Sequence, residues 1–119
     1  MARSTGQATP RKRRSKDVST AKLDELIDEA LIDAHGESEQ TVGLYTMLEE
    51  HLVVPFAIDM LGAEVIVERV DLTDDERIVA VCRRGRSRQL ISILDLRLPD
   101  PPPDGAEWIE ACRRWARAK

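Results

Sequence analysis

The chain has 119 residues and a formal net charge of −4, is 42% hydrophobic and carries one Tyr, one Phe and two Trp. That length fits one domain with an aliphatic core. No segment approaches the ~20 apolar residues of a membrane span, and Cys82 and Cys112 stand too far apart for a zinc-type or C-x-x-C motif.

The net charge hides a segregation along the chain. Residues 1–16 hold six bases and no acid, including the block Arg11, Lys12, Arg13, Arg14, Lys16. Such a polar, basic arm lacks the apolar content to order itself and reads as a disordered tail before a single domain at 17–119. The start shows no signal-peptide apolar run, which together with unpaired cysteines predicts a cytoplasmic protein. From Asp17 to Glu76 there are seventeen acids against two bases, and from Arg77 to Lys119 ten bases against five acids. A dense negative field attracts cations and basic partners.

The helical period begins at Thr20. Leu23, Leu26, Ile27, Ala30, Leu31 and Ala34 form one apolar stripe, with Ser19 or Thr20 as the cap and Gly36 as the stop. Its other side repeats Glu25, Glu29 and Asp33 at every fourth position, an arrangement that repels itself. A second helix is predicted over about Ser38–Leu52, with Val42, Tyr45, Leu48 and Leu52 on its apolar face and Pro55 beyond its end. The period then changes to two. Strands are predicted at Phe56–Met60, around Val65–Val70, at Ile78–Cys82 and at Leu90–Ile93, joined by turns at Gly62, Thr73–Glu76 and Gly85. A proline-rich linker, Pro99–Gly105, precedes a last helix from about Asp104 or Gly105, with Trp108, Cys112 and Trp115 on one face. The fold class is α+β: two N-terminal helices, a small antiparallel sheet that can curl like an SH3-type barrel, and a C-terminal helix.

Three constellations carry chemistry. Asp33, Glu37 and Glu39 crowd the corner between the first two helices, where free helix-end carbonyls add oxygen ligands. Hard cations such as calcium take six to eight oxygens of this kind, while a solvated acidic face is the plainer reading. Asp71, Asp74, Asp75 and Glu76 form a second acidic run. It lacks the glycine and the terminal glutamate of an EF-hand loop, so alone it reads as a polar hairpin turn. Arg83, Arg84, Arg86 and Arg88 surround a tight turn and can hold phosphates or pair with the acidic body. No nucleotide-binding or metalloprotease motif is present, and the two histidines, His35 and His51, lie in no catalytic pattern, so no enzyme is expected.

The run Asp33–Phe56, DAHGESEQTVGLYTMLEEHLVVPF, resembles the CcbP-type bacterial calcium-binding proteins. The matching residues are Asp33, Gly36, Glu37, Glu39, Gln40, Tyr45, Leu48, Glu49, Leu52, Pro55 and Phe56, with a weaker likeness through Gly62, Glu64 and Val65 and again at Glu110, Ala111 and Trp115. Arg114 stands where that family has an acid. The resemblance implies a small domain that binds or buffers calcium ion through surface carboxylates outside the EF-hand class. Asp33, Glu37, Glu39, Asp71, Asp74 and Asp75 are the expected ligands. The rival expectation is a nucleic-acid or protein interaction module using the basic tail and the arginine hairpin. Weak or no nucleic-acid binding is expected, because the acidic body repels a phosphate backbone.

Overall fold

The computed structural model describes residues 18–118; the basic arm at 1–16 lies outside the described residues. Three helices, α1 (Thr20–Ala30), α2 (Glu37–His51) and α3 (Glu107–Ala118), pack on one sheet of β1 (Phe56–Met60), β2 (Ala63–Leu72), β3 (Ile78–Arg84) and β4 (Ser87–Ser92). The class is α+β. The sheet is an antiparallel meander in the order β1-β2-β3-β4. That linear order leaves β1 and β4 as the two edges of the sheet.

Ser19 caps α1, its side chain accepting from the Lys22 amide at 3.1 Å. The stop lies earlier than Gly36. The helix ends at Ala30, and the chain turns through Asp33 in the left-handed region at φ 67°. Aspartate tolerates that region better than most residues. Gly36 instead begins α2 as its N-cap. The face of α2 also differs from expectation: Thr41, Leu44 and Leu48 are buried, while Val42 is 43% exposed. The cause is Gly43. A Cβ there would lie 2.4 Å from the Ala30 carbonyl oxygen, so the end of α1 rests on the bare backbone of α2 and fixes its rotation.

Gly105 makes a second such contact. It sits at φ 87°, and a Cβ on it would lie 2.1 Å from the His51 carbonyl oxygen. The Val53 amide donates to the Asp104 carbonyl at 2.9 Å beside it. The linker thus docks on the end of α2 before α3 begins, two residues later than Gly105. His51, in the last turn of α2, stacks on Trp108 with ring centroids 5.5 Å apart.

The strand β2 carries a bulge. Val67 pairs with Cys82 and Arg69 with Val81, leaving Glu68 as the extra residue. Strict alternation would place Arg69 on the same face as Val65 and Val67; the bulge shifts the phase so that Val70 is buried instead. Val65, Val67, Val70, Ile78, Ala80 and Cys82 then join Leu44, Leu48, Trp108 and Ile109 in one core. Strand β4 begins at Ser87, three residues before its apolar part, because the glycine turn lets Arg84 pair with Ser87.

These contacts predict the cost of a methyl group. Gly43→Ala should destabilise by about 1–3 kcal/mol through overpacking, and Gly105→Ala by at least as much, since its backbone is also left-handed. Gly36→Ala, with nothing within 4 Å of its Cβ, should cost distinctly less. Denaturant titrations of the three variants check the order.

Candidate cation site

Each residue of the acidic corner has a local task. The α2 N-terminus leaves amide groups unpaired, and Glu37 and Glu39 in its first turn favour that positive end. Glu39 also reaches back, its Oε1 accepting from the His35 amide at 2.7 Å, a close relative of a capping box. Gln40 accepts from the Trp115 indole at 3.2 Å, tying the corner to α3. Tyr45 donates to Glu49 at 3.1 Å, one turn on. Burial first, and Glu49 second, push the Tyr45 phenol up, so it remains a donor.

The second acidic run forms the β2–β3 turn. Asp71 Oδ1 accepts from the Leu72 amide at 2.9 Å. Asp75 accepts from the Thr73 hydroxyl and lies 3.4 Å from Arg77. The Thr73 hydrogen bond, with help from Arg77, holds the Asp75 carboxyl below its ordinary value. Glu76 occupies the left-handed region at φ 65° and accepts from the Ser38 hydroxyl at 2.7 Å. That bond joins the turn to the first turn of α2. The two acidic runs, separate in sequence, therefore meet through Ser38 and Glu76.

The meeting does not assemble a ligand shell. Among the described residues, no three Asp, Glu, His or Cys side chains stand close enough together to hold a metal ion. Asp33, Glu37 and Glu39 belong to the corner, and Asp71, Asp74 and Asp75 to the turn. The residue that links them is Glu76, absent from that set. Its contact depends on how the helix pair settles on the sheet, which residue spacing does not encode. Beside it, Thr41, Ile78, Ile93, Cys112 and Trp115 line a cleft of about 230 Å³. Its mainly apolar lining suits no hard cation.

The arginine hairpin is half neutralised. Glu68, pushed out by the bulge, lies 2.8 Å from Arg83 Nε and 2.7 Å from Arg88 Nε. The Arg88 hydrogen bond, and then Arg83, hold its carboxyl below the ordinary value. Arg84 and Arg86 are both exposed, and no ion pair to a described residue engages either. Farther off, Arg114 grips Asp24 at 2.8 Å and lowers that carboxyl too. Both cysteines are free and buried. Burial raises the Cys82 thiol and pushes Cys112 up to about 12, so neither is a ready nucleophile at neutral pH. Comparison with protein-family models, with curated proteins and with solved structures finds no match.

The depressed carboxylates set a pH dependence. Asp24, Glu68 and Asp75 hold their protons more weakly folded than unfolded. Their contribution to stability is therefore complete above the ordinary carboxylate range and is lost as pH falls through the depressed values. Asp24 and Asp75 are exposed and Glu68 is half-buried at the surface, so each contribution is small. Glu68→Gln should lower the denaturation midpoint at neutral pH and flatten its fall in acid. Denaturant midpoints measured from neutral to strongly acidic pH check this.

Proposed function

We propose that this domain binds calcium at the surface where the α1–α2 corner meets the β2–β3 turn, as a cytoplasmic, non-catalytic binding or buffering protein. The observation that carries the reading is the Ser38–Glu76 hydrogen bond, which sets two acidic segments against each other with Arg77 as the adjoining base. Like charges so placed gain from a divalent counter-ion. The resemblance of Asp33–Phe56 to the CcbP-type proteins supports the same reading, since Gly36, Glu37, Glu39 and Gln40 build this corner. Because the carboxylates hold turn and cap hydrogen bonds without the ion, binding has to draw some of them away. That exchange predicts modest affinity and a local rearrangement at Glu76. Asp33, Glu37 and Glu39 are the corner ligands in this reading; Asp71, Asp74 and Asp75 supply field or direct ligation from the turn.

One observation keeps the interaction-module reading alive: Arg84 and Arg86 remain for a polyanion after Glu68 has engaged Arg83 and Arg88. It is the weaker reading, because two arginines face a strongly acidic body. Among the described residues no helix is long and apolar enough to cross a membrane.

Calorimetric titration with calcium, using magnesium as competitor, tests the proposal. Saturation at a hundredfold excess over Kd should stabilise the fold by about 2.7 kcal/mol. Asp33→Asn, Glu37→Gln and Glu76→Gln should each weaken binding. A melting temperature unmoved by millimolar calcium at low salt would defeat it. Tight, salt-sensitive binding of nucleic acid that Arg84→Ala and Arg86→Ala abolish would favour the other reading.

A further inference from the structure

A cleft of about 320 Å³ lies at the start of α3, and the described residues begin at its edge. Its lining joins Leu98, Pro102 and Pro103 of the linker to Val18 and to three acids, Asp104, Glu107 and Glu110. Val18 is half-buried and packs against the core. Ser19, which follows it, is extended, at φ −65° and ψ 153°. Glu110 is already engaged by Arg113 at 3.0 Å. Asp104 and Glu107 have no basic partner among the described residues. The N-terminal end of α3 acts as about half a positive charge, which two full carboxylate charges outweigh. The cleft therefore suits a cation with an apolar stem. Arginine and lysine are built that way, the stem lying along apolar surface and the head reaching a carboxylate.

The segment that leads into Val18 supplies such side chains. Arg11, Lys12, Arg13, Arg14 and Lys16 stand just before it, outside the described residues. Residues two and four positions apart share one face of an extended segment. Val18 lines the cleft, so an extended approach sets Lys16 and Arg14 on the same side, and Asp17 and Ser15 on the other. At 3.3–3.6 Å per residue, Arg14 reaches as far as about 14 Å from Val18. Both bases thus have the cleft within reach.

We propose that this cleft is the seat of the chain's own basic arm, with Arg14 and Lys16 against Asp104 and Glu107 and their stems along Leu98, Pro102 and Pro103. Composition predicts disorder for the arm by itself; the cleft is the partner that ordering requires. Tethering through Val18 gives the arm an effective concentration in the millimolar range. Ion pairs too weak to hold a separate peptide can hold it there. So seated, the two bases are withheld from a polyanion.

The experiment is NMR measurement of the backbone amide heteronuclear NOE on the full chain. At low salt the amides of Arg13, Arg14 and Ser15 should give positive values close to those of α1. The values should collapse in about 1 M salt, where the Debye length is about 3 Å. Asp104→Asn with Glu107→Gln should drive them to zero or below at low salt, and so should Arg14→Gln with Lys16→Gln. The second pair replaces no core residue, so its effect reports the arm rather than the fold. Asp28→Asn with Glu29→Gln, which removes as much negative charge from elsewhere on the surface, should leave the values unchanged. A wild-type arm with negative values at low salt overturns the proposal. So does an arm that stays ordered in either of the first two paired variants, or one released equally by Asp28→Asn with Glu29→Gln. Order that grows with protein concentration also overturns it, by assigning the cleft to the arm of a second copy.

Discussion

Helix α2 is held by backbone contacts at its middle and at its C-terminal end. The Ala30 carbonyl presses on Gly43, and Gly105 presses on the His51 carbonyl, at separations that leave no space for a side chain. These two contacts decide where α1 ends, how α2 is rotated and where the proline-rich linker touches down. The acidic corner follows from the first, because the chain must leave Ala30 abruptly and re-enter a helix at Gly36. The second delivers Trp108 to His51 and aims α3 along α1.

Charge is segregated along the chain and recombined in space. The C-terminal arginines find acids far away in sequence: Arg114 with Asp24, and Arg83 and Arg88 with Glu68. The bulge is what makes Glu68 available, since a regular strand would pair it inside the ladder rather than leave it over. Exposed pairs of this kind add little stability individually. Among the described residues they leave Arg84 and Arg86 without an acidic partner at the second hairpin.

Much of the fold was legible from residue pattern. The α1 stripe, the period change after Pro55, the glycine turns and the aromatic face of α3 all report local preferences that the packing respects. What escaped was set by contacts between distant segments. Gly43 reads as a weak helix residue until the Ala30 carbonyl lies against it, so the stripe through Val42 misplaces the buried face. Glu68 looks like one more alternating residue until β3 fixes the register. At the candidate site, the individual acids were visible, and so was the break at Gly36, though it starts a helix rather than ending one. The Ser38–Glu76 link was not visible, because neither residue's neighbours in sequence select it.

The pairing of α1 with α3 has a consequence for synthesis. Asp24 and Arg114 are ninety positions apart, as are the helices they anchor, while the meander between them pairs only neighbouring strands. A chain emerging from the ribosome can close its hairpins early, since they need only local contacts. The first helix, carrying a row of like charges, has to wait without its partner until Arg114, ninety positions on, has left the exit tunnel. Docking of α1 on α3 then follows closure of the hairpins, and a chain cut before Arg114 loses the anchor of both helices together.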